Sequence, residues 1–189
     1  MKTYFCEKEF LYDGTQLKSL YAYMNFKILG DSIFAWIGAC NIPFEHMVDG
    51  EDIIAGSEIR GDKMLHFIIE KFNIDLYAGV ALQRLMASIA VDLLQEMSLE
   101  KEMAMRLRRE GDDIFFEDKK LSISIASKSQ LSTMIHFAVN IVNDGTPVST
   151  LSLGDLRVDP VAFATQLTER VAKESLSITE ATQKVRELN

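Results

Sequence analysis

Apolar residues recur along this chain with two different periods, and the change from one to the other divides it. Leu82, Leu85, Met86, Ile89, Ala90, Leu93, Leu94 and Met97 follow one another at steps of three and four, which gathers them on one face of an α-helix. Asp75 supplies an N-cap, and the helix is expected to end near Met97 or Ser98. Upstream, residues 31–38 and 64–72 are short apolar runs that read as buried strands. Between them, residues 38–61 lack periodicity and carry Asn41, Pro43, Asp49, Gly50, Gly56 and Gly61. This predicts a long loop, with room for a short helix, of a length that often serves function.

Beyond the helix the period falls to two. Residues 103–109 and 113–116 predict strands around the turn Glu110-Gly111-Asp112. In 121–126, Leu121, Ile123 and Ile125 alternate with Ser122, Ser124 and Ala126; in 135–142, Ile135, Phe137, Val139 and Ile141 alternate with His136, Ala138, Asn140 and Val142. Such alternation marks strands with one apolar and one small or polar face. Short joints between them predict an antiparallel meander. At the C-terminal end, Asp159-Pro160 is an N-cap with proline at the first helical position, and Val161, Ala164, Leu167, Thr168 and Val171 share the face that follows. Ser177-Ile178-Thr179-Glu180 matches a capping box and predicts a separate last helix to about Leu188. The expected fold is α+β, a mostly antiparallel or mixed sheet flanked by helices, in a single domain over residues 1–189.

Composition narrows the function classes. A net charge of −8 repels phosphate backbones, so no nucleic-acid partner is expected. Charge interrupts the N-terminus too early for a signal peptide, and no uncharged apolar run approaches the roughly 18 residues of a membrane span. With two cysteines, Cys6 and Cys40, read as free thiols, the expectation is a cytoplasmic protein with no membrane partner. The apolar face of the C-terminal helix could serve a homodimer or a core.

Chemistry concentrates between Gly111 and Gly145. Residues 101–128 hold seven of the 20 Lys and Arg, balanced by six acids, so spacing says more than charge. An acidic turn, a strand, a second turn and then Lys119-Lys120 would place Lys120 beside Ser122 and Ser124. There a lysine can hold a carboxylate or phosphoryl oxygen while hydroxyls donate to it; a charged hairpin tip in water is the plainer reading. Cys40 follows a buried strand, and a nucleophilic thiol would need a neighbouring base such as His46, His66 or His136; a buried inert thiol is the plainer state. His66 and Glu70 share a strand face, yet no close-spaced ligand pair favours a metal. Asp49, Glu51 and Asp52 read as a solvated acidic loop, although they could meet a cation.

The same segment resembles biotin and lipoate protein ligases. In those families a Gly-x-Asn-Asp-like turn leads to a Lys-Lys-(Ile/Leu)-(Ser/Ala)-Gly strand and then to a strand like Ile-Gly-x-Gly-x-Asn-Val. Gly111-Asp112-Asp113, Lys119-Lys120-Leu121-Ser122 and residues 135–141 fall here in that order. Over nearly its full length the chain is similar to a prokaryotic family known as domain of unknown function 366. The similarity is carried by residues 30–38, Met64-Leu65-His66-Phe67-Ile68, residues 121–126, Ile135-His136, Gly145-Thr146-Pro147-Val148 and Lys184-Val185-Arg186. The ligase resemblance implies a ligase-like catalytic fold that binds a small carboxylic acid or acyl adenylate and activates or transfers it. Lys120 would hold the acyl carbonyl as the catalytic group, and Arg60 would face phosphate. Asp113, Ser122, Ser124 and Asn140 would orient the ligand, beside His66 and His136. Three departures weigh against ATP use and acyl-thioester chemistry. Only Ser57–Asp62 stands where the ligases carry an Arg/Gly-rich motif, Ile123 replaces the glycine after Lys-Lys-x-x, and no cysteine follows Lys120. They leave a second reading, a non-catalytic small-molecule-binding or interaction module that has lost the nucleotide motif. No cofactor is assigned.

Overall fold

The structure, a computed structural model, describes residues 1–188. Five strands form the main sheet: β1 (Lys2–Cys6), β2 (Ser32–Asn41), β3 (Arg60–Phe72), β7 (Ser122–Lys128) and β8 (Ser132–Asn140), in the order β1-β2-β3-β8-β7. β1 runs parallel to β2, and every other pairing is antiparallel. A three-stranded ribbon of β4 (Arg108–Glu110), β5 (Asp113–Phe116) and β6 (Lys119–Lys120) stands beside it. The helices are α1 (Tyr21–Phe26), α2 (Gly50–Ala55), α3 (Leu76–Met97), α4 (Lys101–Met105) and α5 (Pro160–Gln183).

Strand geometry sends alternate side chains to opposite sides of the sheet, and both sides are covered. Ile33, Ala35, Leu65, Phe67, Ile69, Ile135, Phe137 and Val139 face α3 and α5, where Met86, Ala90, Leu93, Phe163, Leu167 and Val171 complete the larger core. The Asp75 side chain accepts from the Ala78 amide, 2.8 Å, at the start of α3, and Asp159 does the same for Ala162 at α5, 2.7 Å. By length and composition α3 is apolar enough to cross a membrane; its stripe packs on the sheet instead.

The opposite side carries Phe34, Trp36, Met64, Ile68 and Ala138, covered by Tyr12, Ala22 and Cys6. The segment before α1 lies along β2: the Tyr12 amide donates to the Ala39 carbonyl, 2.9 Å, and the Asn41 amide to the Tyr12 carbonyl, 3.0 Å. Trp36 Nε1 donates to the Phe10 carbonyl, 3.0 Å, and the Phe10 ring stacks on the indole. Farther on, the buried Glu70 carboxylate accepts from the Leu20 amide, 2.8 Å, and from Ser132 Oγ, 2.6 Å. Those bonds offset the cost of enclosing its charge.

Three features differ from the sequence pattern. Residues 103–105 of the expected strand 103–109 belong to helix α4, because Lys-Glu-Met-Ala-Met is built of strong helix formers and needs to bury only Ala104. The expected meander is divided, with β4–β6 forming the ribbon and β7–β8 belonging to the main sheet. Helix α5 runs unbroken through the capping-box sequence 177–180. There Thr179 Oγ1 donates back to the Ser175 carbonyl, 3.0 Å, a bond compatible with continued helix. The expected short helix in the 38–61 loop is α2.

Gly38 is the tightest point of the second layer: a Cβ there would lie 1.8 Å from the Phe10 carbonyl oxygen. Gly38→Ala is expected to destabilise the fold by about 3 kcal/mol, lowering Tm by roughly 6–12 °C, as read by thermal unfolding followed by circular dichroism.

Candidate functional site

The layer that covers the second side stops short of the β7 edge, and there a cavity of about 440 Å³ opens. That volume lies within the range of small-molecule sites. Its apolar floor includes Tyr12, Met64, Ile123 and Ile125, and its rim comes from 46–60, Asp112, Asp113 and 146–150.

Lys120 enters through backbone geometry. β6 is only two residues long, but the Lys120 amide donates to the Ser149 carbonyl, 3.1 Å, and its carbonyl accepts from the Leu151 amide, 3.1 Å. Asn140 Nδ2 also donates to that carbonyl, 3.2 Å. The lysine Nζ lies 2.8 Å from Asp113 Oδ2, with both side chains about a quarter to a third exposed. Burial pushes the Asp113 carboxyl up; Lys120 opposes this, while Asp112 and Asp52 add to it. Asp113 is thus the carboxylate paired with the lysine, while the Asp112 side chain accepts from Gln83 Nε2, 2.7 Å. Arg60, the residue expected to face phosphate, is at the rim with its Nε 2.9 Å from Glu58 Oε2. Around the cavity stand the carboxylates of Asp49, Glu51, Asp52, Glu58, Asp112 and Asp113, against the two cations Arg60 and Lys120.

Behind the floor runs a chain of buried rings. His66 Nε2 lies 3.2 Å from the Gly38 carbonyl oxygen, and His66 Nδ1 lies 3.1 Å from His136 Nε2. A carbonyl oxygen only accepts, so the neutral His66 carries its hydrogen on Nε2 and accepts at Nδ1 from His136 Nε2–H. His136 is thereby left with an accepting Nδ1, which has no protein partner among the described residues. Tyr12 stacks on the His136 ring at 3.7 Å between centroids, and its hydroxyl likewise lacks a partner among those residues. Both residues line the cavity although they are 2% and 1% exposed. Ser32 Oγ is the one fully enclosed side-chain polar atom without a partner among the described residues, so neither of these two groups is sealed inside the protein.

Of the residues singled out by sequence, Lys120, Arg60, Asp113, Ser122, Ser124, His136 and Asn140 all line the cavity. His66 does not. It is wholly buried one layer behind, where it sets the His136 tautomer. The two strands also present their polar residues differently from the pattern. Ser122 and Ser124 pair with Val139 and Phe137, and so share the helix-facing side, while Ile123 and Ile125 share the side of Ala138 and His136. Ser122 Oγ accepts from the Ile114 amide, and Ser124 Oγ donates to the His136 carbonyl and accepts from Gln83. Their hydroxyls are therefore engaged inside the protein, and the cavity meets them round the edge of β7. Cys40 is buried with its thiol pushed up to about 12 by desolvation, which keeps it protonated. Sequence reasoning missed Tyr12; the apolar-aromatic run Phe10-Leu11-Tyr12 was the available signal.

Comparison with known proteins places this geometry. A family model described as a domain of unknown function (DUF366) matches residues 1–186. Uncharacterized protein MJ0805 of Methanocaldococcus jannaschii is 32% identical over 167 residues, 85% of this chain and 73% of that protein. A solved protein of unknown function from Pyrococcus horikoshi is 35% identical with a TM-score of 0.92, over 100% of this chain and 99% of its own. Biotin protein ligase from Aquifex aeolicus has a TM-score of 0.60 at 11% identity, covering 95% of this chain and 71% of that one. Protein Ta0514 of T. acidophilum, solved with bound lipoic acid, has a TM-score of 0.59 at 14% identity, covering 94% and 86%. The fold is that of biotin and lipoate ligase catalytic domains.

Burial lowers the His66 pKa to about 3 and holds His136 well below its ordinary value, the neighbouring His66 adding to the effect. In the unfolded chain both regain a pKa near 6.5, so the unfolded state binds protons first and stability falls as pH drops below that value. Each histidine is expected to cost roughly 2 kcal/mol between pH 6.5 and 5. In urea unfolding across this window, His136→Gln should remove about half of the loss; an unchanged slope would contradict the buried neutral pair.

Proposed function

This chain belongs to the DUF366 family, and from that premise we propose that it binds a small carboxylic acid or acyl compound in the cavity beside Lys120, as a cytoplasmic single-domain protein. The observation that carries the reading is the position of the Lys120–Asp113 pair on the cavity wall. A ligand carboxylate or carbonyl presents the same kind of oxygen to Lys120 as Asp113 does. Because burial disfavours the charged Asp113, that carboxyl can yield the lysine to an incoming acyl group at modest cost. The lysine backbone is fixed by 149–151 and Asn140, so the ammonium is placed before the ligand arrives. Support comes also from the fold: a biotin protein ligase shares it, and Ta0514 holds lipoic acid.

A second reading, binding without adenylation, is favoured by the charge of the rim. A triphosphate would meet six carboxylates, with Arg60 already held by Glu58. Like charges this close disfavour binding unless bound cations intervene. Under this reading the chain recognises an acyl compound without activating it with ATP.

The test is thermal stabilisation by biotin, lipoate and octanoate, by their non-hydrolysable acyl-adenylate analogues, and by ATP. A ligand at about a thousandfold its Kd adds roughly 4 kcal/mol. Lys120→Ala is expected to abolish the acyl-dependent shift while its own Tm stays within roughly 2–4 °C of the parent, as befits loss of one partly exposed ion pair. A shift that survives in Lys120→Ala removes the lysine from the binding role. A shift confined to the adenylate analogues would restore activation over simple binding.

A further inference from the structure

The cavity has an excess of acceptors that an acyl group leaves unanswered. His136 Nδ1 can only accept, because its neighbour His66 fixes the proton on Nε2. The hydroxyl of Tyr12, whose ring stacks on the same imidazole, is equally without a protein partner among the described residues. Both belong to residues that are almost wholly buried, yet neither group is sealed off, so each is open to a partner in the cavity. On the rim, Asp52 and Asp112 both lie close enough to Asp113 to oppose its ionisation, Asp112 accepting from Gln83 and Asp113 paired with Lys120. No three of the His, Cys, Asp and Glu side chains among the described residues converge tightly enough to ligate a metal ion.

We propose that the compound bound here is an amino-acyl one: besides the acyl group met by Lys120 it carries a protonated amine, whose charge is balanced by Asp52 and Asp112 and whose N–H groups face the acceptors on His136 and Tyr12. This deepens the acyl-binding reading and rests on it for the placement of the acyl end only. The apolar floor, which includes Met64, Ile123 and Ile125, meets the carbon chain. Discrimination follows from the same groups. A plain alkanoate of equal length leaves those acceptors to water and the acidic rim without a counter-charge, whereas the amino compound answers both.

Isothermal titration of the full chain with alkanoates, alkylamines and ω-aminoalkanoates of graded length tests this directly. An aminoalkanoate is expected to bind about tenfold more tightly than the alkanoate of the same length. Asp52→Asn should remove most of that preference, read as the ratio of aminoalkanoate to alkanoate affinity in the variant against the same ratio in the parent. Asp52 sits on α2, which has no buried residue, so the variant is expected to fold. Alkanoates that bind as tightly as their amino counterparts would overturn the amine while leaving the acyl reading intact. Alkylamines that bind as tightly as aminoalkanoates, with no binding of alkanoates, would keep the amine and overturn the acyl role of Lys120. Absence of binding across all three series overturns both.

Discussion

The second layer of this protein depends on the absence of one methyl group. At Gly38 the Phe10 carbonyl comes so near β2 that no side chain fits between them, and this contact draws residues 10–12 along the strand as an added extended segment. Tyr12 is thereby laid over His136, Trp36 gains a carbonyl for its indole N–H, and the sheet acquires a second buried side. The same glycine offers its own carbonyl to His66. A single residue thus admits the cover and anchors the hydrogen-bonded chain beneath it.

The site follows from where that cover ends. Where strands β3 and β8 are covered on both sides, their polar residues satisfy one another, as the two histidines do. At the β7 edge the covering stops, and the cavity takes its floor from the sheet and its rim from loops and short elements. Rigid strands set the acceptors on the floor, while Lys120 is held by backbone bonds to a loop. The charged rim is drawn from α2, the 111–113 turn and neighbouring residues.

Legibility of these features in sequence follows the range of the interactions involved. Helix α3 and its Asp75 cap were plain, because period and capping are local. Lys120, Asp113 and Asn140 could be named from spacing and resemblance, and the structure does bring them to one cavity. The facing of Ser122 and Ser124 could not. Alternation says that two strand faces differ, while the choice of which face meets helices depends on partners far along the chain. The capping-box sequence at 177–180 failed for a related reason, since hydroxyls that cap a helix start can also bond back within a continuing helix. Tyr12 was invisible because its role exists only once Gly38 has let its segment approach.

The division between floor and rim has a consequence for how such a protein can change. The imidazole chain is locked among three strands, and altering it disturbs the whole sheet. Helix α2, by contrast, has six residues and none of them buried, so its substitutions are nearly free of folding cost. Selection can therefore redraw the charge at the mouth, and with it the ligand admitted, on an inherited base that stays the same. The molecule resembles a fixed lens with an exchangeable aperture.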